Sequence, residues 1–230
     1  MKDFKIKPKS EAKYKEFLID MEKNSRLYMR VTNPTRKDYE NRKEYFWLVQ
    51  SLDYLSNKFN IVQTRIALMA VLEKKEEGIL TAKKIKEFIQ FLEGFHFAYN
   101  AMLAKRSNVL DSRYATFARR LRVCKTKEEC NRCIDDLIEK LNKLYPTFEE
   151  FKKSFLVLSY SKQDAPDNIK VKYIINKMEC FFSPDNHEVF HDNGSIEHIL
   201  PEKEGGLALH IGNLILLEYT LNIAAGEIVP

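Results

Sequence analysis

Apolar residues recur at spacings of three and four through residues 1–182. Residues with this spacing share one face of an α-helix, because a helix repeats every 3.6 residues. Two clear series are Tyr14, Phe17, Leu18, Met21 and Phe46, Val49, Leu52, Leu55, Phe59. Hydrophobic residues make up 44% of the chain, which is ordinary for a protein with a buried core. The pattern predicts a bundle of amphipathic helices.

Polar residues mark the expected starts of several helices. TKEE at Thr126 and TFEE at Thr147 are capping-box patterns, in which a threonine precedes a glutamate by three positions. Thr81 and Asn60 each precede an apolar run and are predicted N-caps. The aromatic series within the Thr81 run consists of Phe88, Phe91, Phe95 and Tyr99. Aromatics at helical spacing indicate core packing rather than base stacking.

The residue pattern of the chain changes after residue 182. A turn-rich stretch leads into SIEHILP and ALHIGNLILLE, two Ile- and Leu-rich runs joined by EKEGG. YTLNIAAGE follows and favours a helix. The order predicts strand, loop, strand and helix. We therefore expect a helical domain over residues 1–182 and a small ββα unit over residues 183–230.

The residues for phosphodiester hydrolysis occur within this short segment. Such a reaction needs a base to activate water and a divalent metal to neutralise charge at the phosphate. His198 on the first strand supplies an imidazole, and Glu197 and Asn222 supply hard oxygen donors suited to Mg²⁺ or Mn²⁺. Adjacent strand residues point to opposite faces, so Glu197 and His198 serve one site only where the strand ends or bends. Pro201 favours such an early end.

The motifs SIEHILP, HIGNLILL and LN resemble those of HNH endonucleases, also called ββα-metal or His-Me finger nucleases. They are most similar to the C-terminal nuclease domain of GmrSD-type modification-dependent restriction enzymes. The resemblance implies that Glu197 and Asn222 are metal ligands and that His198 is the general base. It implies that Asn213 orients the loop that carries His198. The implied fold is mainly α, a multi-helix bundle followed by a small C-terminal ββα-metal unit.

The resemblance also implies partners. Relatives of this kind carry an upstream ParB-like nucleotide-binding domain, and nothing similar is found in this sequence. We therefore expect a separate NTPase or recognition subunit as a partner, beside DNA that is modified or unmodified. The chain ends eight residues after Asn222, where the helix of the family continues. We expect the ββα unit to be incomplete at its C-terminus.

A basic segment in the middle of the chain is a candidate for contact with DNA. Residues 105–122 contain six lysines and arginines and the single acid Asp111. Basic side chains attract the phosphate backbone without reading its sequence. The best candidates are Lys105, Arg113, Arg119 and Arg120. The alternative is an ordinary solvated helix face.

The remaining features bear on location and cysteine chemistry. No run approaches the roughly 18–20 apolar residues of a membrane span, and the start lacks the apolar core of a signal peptide. We expect a cytoplasmic protein without a membrane partner. Its four cysteines are then free thiols rather than disulfides. Cys130 and Cys133 with His187 and His191 suggest zinc only superficially, because the two pairs lie far apart in the chain.

Two functional hypotheses follow. The first is a metal-dependent DNA endonuclease, or its nuclease subunit, from a bacterial restriction or anti-phage system. The second is a non-catalytic helical module that binds a separate NTPase or recognition subunit and keeps only a degenerate HNH remnant. The two hypotheses are distinguished by the melting temperature. Only the nuclease hypothesis predicts a shift with Mg²⁺ or Mn²⁺ that depends on Glu197 and Asn222.

Overall fold

The computed structural model describes residues 11–164, 168–182 and 194–218. This part of the chain is mainly helical, as predicted, and has one two-stranded antiparallel sheet near its C-terminal end. The elements are α1 (Glu11–Thr32), α2 (Phe46–Asp53), α3 (Arg65–Glu76), α4 (Ala82–His96), α5 (Asp111–Val123), α6 (Lys127–Asn142), α7 (Phe148–Phe155), α8 (Ile169–Phe182), β1 (Gly194–His198) and β2 (Leu214–Glu218). The helix predicted to follow β2, which would carry Asn222, lies outside the described residues. The ββα-metal identity of the unit stays a prediction.

Local capping chemistry sets the starts of three helices. Thr126 and Thr147 each form a complete capping box, at the starts of α6 and α7. The Thr81 hydroxyl accepts a hydrogen bond from the backbone N–H of Lys84 at the start of α4. These three predicted N-caps are confirmed. They were predictable from the sequence because each cap uses only residues three positions apart.

The predicted N-cap at Asn60 is wrong. The helix α3 begins later, at Arg65, and a short 3-10 turn over Val62–Thr64 precedes it. Asn60 itself has a φ of 53°. Asparagine tolerates this left-handed conformation better than most residues, so here it terminates the preceding helical turn instead of starting the next helix.

The main hydrophobic core lies among α1 to α6. Phe88 and Phe95 of α4 are fully buried in it, Phe91 of α4 is partly buried against it, and Tyr99, just after α4, is 9% exposed. The aromatic series thus packs inward as predicted. Phe88 and Phe117 pack across α4 and α5 with tilted rings whose centroids are 5.3 Å apart. Burying such rings is among the largest stabilising contributions that a core receives.

The N-terminal half of α1 is helical, but its predicted apolar face is not buried. Leu27 and Val31, near the end of the helix, reach the main core. The earlier residues of the stripe are between 42% and 59% exposed; they are Tyr14, Phe17, Leu18 and Met21. Periodicity predicted the helix correctly and predicted its burial wrongly, because a period carries no information about a facing partner.

A second core joins the helices to the hairpin. Two π-helical segments, Tyr54–Lys58 after α2 and Phe97–Met102 after α4, bring Tyr54, Phe97 and Met102 into it. Ile196 of β1 and Leu214 of β2 pack into the same cluster. The boundary at residues 182 and 183 stays a prediction, but the described hairpin shares its core with the helical region.

A buried carboxylate connects α8 to α4. Glu93 is 1% exposed and receives a hydrogen bond of 2.5 Å from the Ser51 hydroxyl. Lys177 of α8 lies with its Nζ 2.7 Å from Oε1 of Glu93. Burial, reinforced by the Glu93 charge and a hydrogen bond to it, raises the pKa of the Tyr173 hydroxyl well above its ordinary value. Glu93 is thus a charged anchor for α8, the helix that packs against β2.

Removing Lys177 leaves the Glu93 charge buried without its cation. We expect Lys177→Ala to lower the free energy of unfolding by about 2 kcal/mol, less than for a fully buried pair because Lys177 is partly exposed. Lys143→Ala, which breaks an exposed pair with Glu139, is the control and should leave the free energy of unfolding nearly unchanged. Chemical denaturation measures both. Equal losses for the two variants contradict an anchoring role for Glu93.

No helix among residues 11–164, 168–182 and 194–218 is long and apolar enough to cross a membrane.

Candidate functional site

The first strand of the hairpin, β1, ends at His198, the predicted general base. His198 is the last residue of β1 and pairs with Leu214 across the sheet, while Glu197 pairs with Ile215. The chain then bends before Pro201 and crosses to β2 through three short 3-10 turns. Gly205 and Gly206 have positive φ values of 63° and 52°, which glycine adopts without strain. The connection is therefore a structured loop, and β2 begins only at Leu214.

The side chain of Asn213 holds this loop closed. Its Nδ2 donates hydrogen bonds to the carbonyl oxygens of Leu200, at 3.0 Å, and Ala208, at 2.7 Å. Its Oδ1 accepts from the backbone N–H of Leu200 at 2.9 Å. Only an amide offers two donor hydrogens and an acceptor in this arrangement, so neither aspartate nor leucine can replace it. These are contacts that an orienting role for Asn213 requires, and the role stays a prediction.

A distant segment pairs with the other side of the loop. The backbone N–H of Tyr160 donates to Leu209 at 2.9 Å, and that of Ile211 donates to Leu158 at 3.0 Å. Ser159 and His210 form an antiparallel bridge between these bonds. The connection between α7 and α8 thus lies alongside the hairpin loop, and it brings the carbonyl of Tyr160 to His198.

His198 has a defined hydrogen-bond partner. Its side chain is 4% exposed, and Nε2 lies 3.0 Å from the carbonyl oxygen of Tyr160. A carbonyl oxygen only accepts, so Nε2 must carry the hydrogen. In the neutral ring, Nδ1 then has the free lone pair. The geometry selects the tautomer that a base acting through Nδ1 requires.

A carboxylate that was not among the predicted site residues, Glu202, lies beside His198. Oε1 of Glu202 accepts hydrogen bonds from the Ser161 hydroxyl at 2.6 Å and from the Lys162 backbone N–H at 3.0 Å. The Ser161 bond is the largest cause that lowers the pKa of Glu202, and the Lys162 bond adds to it. Oε2 of Glu202 lies 3.8 Å from Nδ1 of His198. The sequence feature that could have revealed Glu202 is its position, four residues after His198 and directly after Pro201.

Glu197 is held by a lysine from the same distant segment. Nζ of Lys162 lies 2.6 Å from Oε2 of Glu197, whose side chain is 17% exposed. Glu197 and His198 leave the strand in different directions, yet both contact the segment 160–162. Lys162 thus contacts Glu197, and Glu202 and the Tyr160 carbonyl lie beside His198, while a shared site for Glu197 and His198 stays a prediction.

The fit to a divalent metal is partial. Among the described residues there is no group of three or more His, Cys, Asp or Glu side chains that could hold a metal ion. Glu197 offers the hard oxygen that Mg²⁺ or Mn²⁺ prefers, but the Lys162 ammonium already neutralises it. Lys162 is 48% exposed and can swing away on its flexible stem. Asn222, the second predicted ligand, lies outside the described residues.

The four predicted DNA-binding residues lie on or near α5. Lys105 pairs with Glu150 at 3.0 Å, and Arg120 pairs with Asp136 of α6. Arg113 donates to the Val109 carbonyl at 2.9 Å, and Arg119 lies within 3.5 Å of the Thr116 hydroxyl. Arg113 and Arg120 line an open groove of about 560 Å³ between α5 and α6. These contacts come from α5, α6 and α7, whereas the contacts of His198 come from the hairpin loop and segment 160–162.

Comparisons of the chain with protein-family models, with curated proteins and with solved structures find no match.

Replacing Asn213 tests whether its amide holds the loop. We expect Asn213→Ala to lower the free energy of unfolding by about 1–3 kcal/mol, because it leaves backbone groups of Leu200 and Ala208 without their partners. Hydrogen exchange should accelerate in residues 199–209 and stay unchanged in α4. Asn57→Ala, which removes an exposed amide bonded to Asp53, is the control. Unchanged exchange in the loop would show that other contacts suffice to close it.

Proposed function

We propose that the protein is a metal-dependent DNA endonuclease of the HNH type, or its nuclease subunit, acting in a bacterial restriction or anti-phage defence system in the cytoplasm. The observation that carries the proposal is the pairing of His198 Nε2 with the Tyr160 carbonyl, which leaves Nδ1 as a base. The closed loop at Asn213 and the motif resemblance support it.

In the proposed reaction, Nδ1 of His198 removes a proton from water as the water attacks the phosphorus atom. The ring then carries a positive charge, and Oε2 of Glu202 lies 3.8 Å from it. Glu202 is held ionised by Ser161 and the Lys162 backbone, so it stabilises the charged ring. The His198 side chain is only 4% exposed, and we place the attacking water beside the 27% exposed Glu202, whose Oε2 is 3.8 Å from Nδ1.

Glu197 and Asn222 are the residues that would hold a divalent ion. When bound, such an ion supplies positive charge to the phosphate and to the departing 3′ oxygen. Lys162 would have to leave Glu197 for such an ion to bind, and its 48% exposed side chain has the freedom to do so. The cations of the α5 region, Arg113, Arg119, Arg120 and Lys105, contact the DNA backbone without reading its sequence.

One observation favours the alternative function. A carboxylate that no metal binds needs another cation, and Lys162 supplies one to Glu197. The same contact is expected in a degenerate remnant within a module that binds a separate NTPase or recognition subunit. A rise in melting temperature with Mn²⁺ that is lost in Glu197→Gln supports the nuclease, and no rise supports the module.

Plasmid cleavage tests the role of His198. With Mg²⁺ or Mn²⁺, on unmodified, methylated and glucosylated DNA, we expect His198→Ala to cut at least about 100-fold more slowly, because general bases contribute that much or more. His210→Ala is the matched control and should cleave DNA at the same rate as the protein without substitutions. Equal cutting by His198→Ala and the unmodified protein removes His198 from the role of base.

Glu202 offers a second test of the same site. Glu202→Gln keeps an oxygen for Ser161 and Lys162 but removes the charge beside His198. We expect cleavage to slow only about fivefold, because solvent screens the charge contact of a partly exposed carboxylate. Glu204→Gln, two positions away and exposed, should leave the rate unchanged. A Glu202→Gln rate equal to that of Glu204→Gln would mean that Glu202 has no part in the reaction.

A further inference from the structure

Three of the four cysteines meet where α5 ends and α6 begins. Cys124 follows the last residue of α5, and Cys130 and Cys133 lie in the first two turns of α6. The Cys124 thiol donates to the Arg120 carbonyl at 3.2 Å, and Cys124 and Cys133 line the same surface groove. All are free thiols, and Cys180 lies elsewhere, on α8. The cluster is independent of the hairpin site.

Solvent reaches these three thiols unequally. Cys130 is completely buried and Cys133 is 3% exposed, whereas Cys124 is partly exposed. Cys124 and Cys133 both line an open groove of about 420 Å³, together with Arg120 and Arg132. Cys130 is not part of that lining. A small solute entering the groove therefore meets Cys124 first, with Cys133 beside it.

The two thiols have different roles in any oxidation. Burial raises the pKa of Cys133 to about 11, so Cys133 is protonated at neutral pH and is a poor first nucleophile. Its thiol lies 3.9 Å from the Phe117 carbonyl in the floor between α5 and α6. Cys124, at the mouth of the groove, is the thiol that an oxidant attacks, and Cys133 is the neighbour that can resolve the product.

We propose that Cys124 and Cys133 are an oxidation site that closes to an intrachain disulfide on exposure to hydrogen peroxide. The Cys124 thiolate attacks one peroxide oxygen, the O–O bond breaks, and sulfenic acid forms with release of hydroxide. The Cys133 thiol then attacks the Cys124 sulfur, the S–O bond breaks, and water leaves as the S–S bond forms. The two sulfurs together lose two electrons, and the peroxide is reduced to water.

To form the bond, the two sulfurs must approach to about 2.05 Å. The partly exposed Cys124 side chain can rotate away from the Arg120 carbonyl toward Cys133, which lines the same groove. The bond would join the end of α5 to α6 next to Arg120. Arg120 lines both this groove and the groove of about 560 Å³ between α5 and α6. The proposal holds whether or not the protein is a nuclease.

Tryptic peptides identify the bond directly, because cleavage after lysine and arginine places each of the three cysteines on a different peptide. The peptides are VCK with Cys124, EECNR with Cys130 and CIDDLIEK with Cys133. The native protein is treated with limiting peroxide, the remaining thiols are alkylated after denaturation, and the digest is analysed by mass spectrometry without reduction. We expect VCK linked to CIDDLIEK.

Four variants complete the experiment. The linked peptide should vanish in Cys124→Ser and Cys133→Ala and persist in Cys130→Ala and in Cys180→Ser, which removes the other partly exposed thiol. Cys124→Ser leaves the buried core unchanged, so its result stands even where Cys133→Ala folds poorly. A VCK–EECNR link, a link only between two chains, or an unlinked Cys124 in the oxidised protein would each overturn the proposal.

Discussion

The amide of Asn213 hydrogen-bonds to both sides of the loop between β1 and β2, and we expect the arrangement of the candidate site to depend on this contact. Leu200 follows His198 closely, so fixing its backbone N–H and carbonyl fixes where β1 ends. The bond to Ala208 fixes the far side of the loop. With both ends held, the loop presents the backbone of Leu209 and Ile211 to the segment 158–160. That pairing places the Tyr160 carbonyl against His198.

The second core explains how a two-stranded hairpin keeps this geometry. A hairpin alone is marginally stable in water, and it needs a further surface to pack against. Ile196 and Leu214 find that surface in residues from α8 and from the π-helical segment after α4. Glu93 in turn fixes α8 through Lys177. The helical bundle thus supplies the rigid support for a site whose own secondary structure is small.

Local chemistry was predictable from the sequence, and long-range chemistry was not. The capping boxes at Thr126 and Thr147 follow from residues three positions apart, and both are present. The two strands follow from short Ile- and Leu-rich runs, and they pair as an antiparallel hairpin. Lys162 and the Tyr160 carbonyl are far from His198 in the chain, and no spacing rule connects them. The face of α1 was misjudged for the same reason, since burial depends on a partner that periodicity does not reveal. Glu202 is only four residues from His198 in the chain, but its contact with His198 depends on the turn after Pro201.

The tautomer of His198 is the measurement that tests the account most directly. Nitrogen chemical shifts of the imidazole, recorded at a pH where the ring is neutral and assigned by comparison with His198→Gln, report which nitrogen carries the hydrogen. The hydrogen bond to Tyr160 predicts a hydrogen on Nε2 and a bare Nδ1. A hydrogen on Nδ1, directed at Glu202, would contradict the account, because the ring would then lack a lone pair on the side where water approaches.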